Sequence, residues 1–191
     1  ATARMKSGDI AMYQAKGAGN SCYRYDSRAT AEAVERCVHM GQELGGPWAR
    51  GELSRVYQPI VRLVDKRVVG AEALLRWRHQ GRLLAAAEFI EVLESSGQIL
   101  SLGRWVLDRA CTDAAQWSCS PEQSAPTVRV NVSARQFEDA ALAADVGDAL
   151  AASGLAPERL CLELTETTLM RNLDHALGVL QQLKAIGVQV A

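Results

Sequence analysis

The sequence predicts an α/β protein built on a mainly parallel sheet, and three observations carry that prediction. From Leu53 onward, short apolar strands alternate with amphipathic helices. The helices keep an apolar stripe at the 3.6-residue period, and glycines follow two of them, at Gly154 and Gly187. Composition is ordinary for a globular chain of 191 residues, 48% apolar and 23% charged. Strands alternating with helices imply parallel pairing, in either a closed barrel or a doubly wound sheet.

Taken in order, residues 5–17 read as the end of a helix stopped by Gly17–Gly19, and Ser21 to Tyr25 as a short strand. Residues 28–44 suit a charged connector helix, which Gly45-Gly46-Pro47 should break or kink. Gly70–Trp77 is a strand. Leu102, Trp105, Val106, Ala110, Ala114 and Trp117 mark one helix face. Strand Val128–Val132 leads to helix Asp139–Ala152, with Leu142, Val146, Ala149 and Leu150 on its inner side. Strand Leu160–Leu164 leads to helix Leu173–Ile186, whose stripe is Leu173, Leu177, Leu180 and Leu183. A last strand begins at Val188.

Charge excludes some partners. The 21 Lys+Arg and 22 Asp+Glu leave a formal net charge of -1, with no general pull toward DNA or an anionic membrane. No apolar run approaches the roughly 20 residues of a membrane span, and the first residues lack a signal-peptide pattern. Membrane segments upstream of residue 1 stay open, so the expected location is cytoplasmic with an optional upstream anchor. The five cysteines are irregularly spaced and none pairs as CxxC, and no histidine sits at ligand spacing beside them. They read as small, partly buried hydrophobes.

The chemistry lies in strand alternation, because every second side chain faces the same way. Glu72, Leu74 and Arg76 share one face, as do Arg129, Asn131 and Ser133, and Cys161, Glu163 and Thr165. Three successive strands thus each offer an oxygen ligand near or past the middle of the strand, and α/β barrels build their sites at the C-terminal strand ends. Glu, Asn and Glu are hard donors suited to magnesium, manganese or calcium. Taken singly, each has another explanation. A strand Glu is commonly a solvent-facing charge. Asn131 would also suit a turn or helix cap, and Glu163 and Glu166 a helix entry.

The runs VYQPIV, GAEALLRWRH, FI at residue 89, LGRWVLDRAC, VNVSARQF and GLAPERLCLELTET occur in one order and at spacings that resemble the EAL domain family over residues 53–191. The segment GDIAMYQAKGAGNSCYRYD resembles the end of a GGDEF domain. This divides the chain into a GGDEF tail (1–26), a helical connector (27–52) and the N-terminal part of an EAL domain (53–191). The resemblance implies a partial (β/α)8 TIM-type barrel, truncated at its C-terminus, whose first strand is antiparallel to the rest. It implies a bacterial phosphodiesterase that hydrolyses cyclic di-GMP to the linear dinucleotide with two magnesium or manganese ions. By motif, Glu72, Asn131 and Glu163 match metal ligands, Arg76 and Gln58 match substrate-side positions, and Glu166 matches a loop anchor. An EAL–EAL homodimer is compatible with the resemblance.

Departures from the family pattern bear on activity. A DDFGTG-type segment, which supplies further metal-binding aspartates, and a later catalytic lysine do not occur in these 191 residues. The GG[DE]EF signature is also absent, and Asn20 stands near a common arginine. Gln80 and Ala85 stand near usual prolines, and Arg55 occupies a commonly apolar strand position. The 191 residues alone are therefore expected to be inactive and poorly stable. The alternative to an active enzyme is a degenerate EAL module that binds cyclic di-GMP or a protein partner without hydrolysis; an unrelated metal-dependent barrel is the third reading.

Overall fold

The computed structural model describes residues 51–118, 125–165, 168 and 173–191. The chain divides into units 1–45 and 46–191, and the described residues all belong to the second. The expectations for residues 5–17, 21–25, 28–44 and Gly45–Pro47, and Glu166, lie outside the described residues.

Strand β1 (Leu53–Val61) pairs antiparallel with β2 (Val68–His79). The short β3 (Arg82–Ala85) adds to the far half of β2 as a hairpin. Helices α1 (Ile90–Ser96) and α2 (Ile99–Ala115) lead to β4 (Thr127–Asn131). One turn, α3 (Ala134–Phe137), and α4 (Leu142–Ser153) precede β5 (Leu160–Glu163). Helix α5 (Leu173–Ile186) and β6 (Gln189–Val190) follow. The sheet order is β1-β2-β4-β5-β6, with β2, β4, β5 and β6 mutually parallel. The sheet is open, with β1 and β6 at the ends of that order.

One face of this sheet is apolar, and the helices pack on it. Ala73, Val128, Val130, Leu160 and Leu162 meet Leu107, Ala110 and Cys111 of α2, Val146 and Ala149 of α4, and Val179 and Leu183 of α5 in one core. Alternation explains the arrangement, since these strand positions leave Glu72, Arg129, Asn131 and Glu163 for the other face. Farther along β2, fully buried Trp77 stacks edge-on with Phe89, centroids 5.5 Å apart, and its indole N–H donates to Glu52 at 3.3 Å.

Several expectations need correction. Leu177 is 58% exposed and does not pack on the sheet; Ala176, Val179 and Leu183 carry the buried face, with Leu180 partly buried. Helix α4 starts at Leu142 rather than Asp139, because the Asp139 carboxylate accepts the Ala141 N–H at 3.1 Å and closes a local turn instead. The strand expected at Val128–Val132 runs from Thr127 to Asn131, and that at Leu160–Leu164 ends at Glu163. Beyond these strands, β2 and β3 form a hairpin. Its two-residue turn puts Gln80 at φ 47° and Gly81 at φ 80°, as a primed turn requires. Proline, fixed near −65°, has no access to the Gln80 conformation. At Ala85 the backbone N–H donates to Glu88 at 2.9 Å, a bond proline lacks.

Candidate metal and phosphodiester site

Pairing across the sheet brings the candidate residues together. Gln58 stands opposite Glu72, Glu72 beside Arg129, Arg129 beside Cys161, and Cys161 beside Gln189. These five residues form one transverse row on the face opposite the helices. In the next layer toward the C-terminal strand ends, Asn131 stands beside Glu163, each the last residue of its strand. Ser54 and Arg76 form a pair farther out along β1 and β2.

The two layers are linked diagonally. The Asn131 Nδ2 donates to Glu72 Oε1 at 2.7 Å. Glu163 is the register neighbour of Asn131, so three strands place their oxygen-bearing side chains side by side. Arg129 Nη1 donates to Glu163 Oε1 at 2.9 Å. That bond raises the Arg129 pKa above its already high value, with partial burial working against it. Burial pushes the Cys161 thiol up, Arg129 pulls it down and Glu163 adds to the rise. Arg76 turns back on its own strand, with Nη1 donating to the Leu75 carbonyl at 2.8 Å.

Gln58, Glu72, Arg76, Asn131 and Glu163 therefore share one face. Ser133 does not join them: it caps α3, its hydroxyl accepting the Gln136 N–H at 3.3 Å. The capping role open to Asn131 is thus taken by Ser133. Thr165 lies past the end of β5, its hydroxyl 2.8 Å from that of Thr168. Arg129 is the residue that sequence reasoning placed on the right face and gave no task. Its signal was the alternation that selected Asn131.

The donor set suits a hard cation. Two carboxylates and an amide would offer a magnesium ion the hard oxygen ligands it takes. Rotating the Asn131 amide exchanges its donor for its carbonyl oxygen. Among the described residues no group of three or more His, Cys, Asp or Glu forms a metal cage.

The chain belongs to the EAL domain family, which matches residues 41–191. The bifunctional diguanylate cyclase/cyclic di-GMP phosphodiesterase MucR of Pseudomonas aeruginosa is 38% identical over 189 residues, 98% of this chain and 27% of that protein. The cyclic di-GMP phosphodiesterase NbdA of the same organism is 35% identical over 189 residues, 98% of this chain and 24% of that protein. A solved structure, the PaMucR phosphodiesterase in complex with c-di-GMP, superposes with a TM-score of 0.75 at 38% identity, covering 80% of this chain and 62% of that one. The chain spans about a quarter of the length of these two curated relatives. Among the described residues, no helix is long and apolar enough to cross a membrane.

Proposed function

We propose that these residues form part of a metal-dependent cyclic di-GMP phosphodiesterase, which opens one phosphodiester bond to give the linear dinucleotide. The observation that carries the reading is the contact of Glu72 with Asn131 at 2.7 Å, with Glu163 in register beside them, on the face of an EAL sheet opposite the helices. Glu72, Asn131 and Glu163 hold magnesium or manganese, two ions in the complete site. Bound there, such ions would supply neutralisation of phosphate charge and activation of a water. Arg76 grips a phosphate oxygen with its planar fork once it leaves the Leu75 carbonyl. Gln58, opposite Glu72, lines the substrate side, and Glu166 anchors a loop near the ions. The relatives' names support the substrate. The MucR match extends over 98% of the chain, which supports reading residues 1–26 as a GGDEF tail. We assign the site to the cytoplasm, and EAL–EAL pairing remains part of the proposal.

The test is hydrolysis by a protein carrying these residues within a complete EAL domain. Cyclic di-GMP should convert to the linear dinucleotide with Mg²⁺ or Mn²⁺ and stop with EDTA. Glu72→Ala should lower kcat by more than the about 10–100-fold typical of losing a residue that only supports a ligand. Wild-type turnover by that variant would show that Glu72 is not a ligand. Binding of cyclic di-GMP by the wild type, without hydrolysis at any metal concentration, would select the binding-module reading instead.

A further inference from the structure

Arg129 stands at the centre of the site, in the row of Glu72 and one layer below Asn131 and Glu163. A strand position in the middle of the sheet fixes its backbone, so the guanidinium has only its own side-chain torsions with which to withdraw. Its hold on Glu163 is made by one N–H, from Nη1 to Oε1 at 2.9 Å. The Nε is enclosed and has no hydrogen-bond partner. A two-point fork would be harder to open; this is a single contact with a second donor unsatisfied.

That contact opposes metal binding in two ways. It occupies an oxygen of Glu163, and it sets a positive charge among the carboxylates that a divalent ion needs. The two Glu bring two negative charges, and Arg129 cancels one of them. The side chains of Arg129 and Glu163 are 38% and 25% exposed, so the charges are only partly screened.

We infer that Arg129 is a built-in competitor for the divalent cation: it holds the Glu163 oxygen that an ion would take, must release it as the ion loads, and so sets the metal concentration at which the site fills. The inference rests on the metal-site reading above. A site of this kind responds to the supply of free divalent cation as well as to substrate.

Mn²⁺ titration of a complete EAL domain carrying these residues, followed by loss of the free-ion electron paramagnetic resonance signal, tests this without any turnover. Arg129→Met keeps an unbranched stem and removes the charge. It should bind Mn²⁺ about tenfold more tightly than wild type or better, whereas Arg129→Lys should stay within about threefold of wild type. Adding Glu163→Gln to Arg129→Met should abolish the gain. Unchanged or weaker binding by a folded Arg129→Met, with Glu72→Gln still removing binding, would overturn the competitor while leaving the metal site standing. Mn²⁺ binding indifferent to both Glu72→Gln and Glu163→Gln would overturn the metal site, and the competitor with it. Should Arg129→Met fail to fold, the wild type decides: the Arg129 Nε–H resonance should shift on saturation with Mg²⁺, and an unmoved resonance refutes the release.

Discussion

Arg55 occupies a strand position that faces helices, where an apolar side chain is the ordinary choice. The structure gives it a task there. Its Nε and Nη2 fork onto Asp113 of α2 at 2.6 and 2.9 Å, the Tyr57 hydroxyl donates to the same carboxylate at 2.6 Å, and the Trp105 ring lies 5.8 Å from the guanidinium. Tyr57 meets Trp117 edge-on at 5.1 Å. One charged pair thus ties the outermost antiparallel strand to the helix layer. The arginine is visible in the sequence as an anomaly. Its partner 58 residues away is not, because nothing local marks Asp113 as different from any other helix-surface acid. The hydrogen bond from Arg55 holds the Asp113 carboxyl below its ordinary pKa, against a smaller opposing effect of burial. The sign follows from linkage. Stability from this group is complete above the unfolded value of about 3.9 and fades as pH falls through the lower folded value. In a complete EAL domain, Asp113→Asn should cost about 1–2 kcal/mol at pH 7, allowing for partial exposure of the pair. Urea unfolding should show the gap between wild type and variant narrowing below about pH 4; an equal gap at pH 3 and pH 7 would contradict the ion pair.

Among the elements, those with a single strong period were legible and those set by tertiary contact were not. Helix α4 shows its Leu142, Val146, Ala149 and Leu150 stripe openly, and α5 its limits at Leu173 and Ile186. The stripe of α5 misled at Leu177, since a run of leucines hides the fact that Ala176 and Val179 are the residues facing the sheet. The junction of α2 with α3 was invisible in the sequence. A Cβ on Gly103 would lie 1.9 Å from Gln136 Nε2, so α2 carries glycine where the buried Gln136 side chain crosses it. Gln136 in turn accepts the Ser133 N–H at 3.2 Å, closing the cap just beyond Asn131. Gly103→Ala should therefore cost a complete EAL domain about 1 kcal/mol, the overpacking against Gln136 exceeding the gain in helix propensity. Gln136→Ala should relieve most of that cost, so the double variant should be more stable than the sum of the single losses predicts. Additive losses in urea unfolding would show that the two residues do not meet.

Across the whole molecule, the row from Gln58 to Gln189 explains how residues scattered over the chain become one surface. The alternation in GAEALLRW, VRVNV and LCLEL was enough to put Glu72, Asn131 and Glu163 on the same face. It did not supply the register, which depends on pairing between strands about 30 to 60 residues apart and puts Arg129 between the two carboxylates. The antiparallel first strand came from the family resemblance alone and stands in the sheet as β1. The central claim is that these three side chains share bound ions, and anomalous diffraction at the manganese edge tests it most directly. A crystal of a complete EAL domain containing these residues, soaked in Mn²⁺, should show an anomalous peak about 2.0–2.6 Å from oxygens of Glu72, Asn131 and Glu163. A fully occupied manganese peak elsewhere, with Arg129 still on Glu163 and Asn131 still on Glu72, would contradict it.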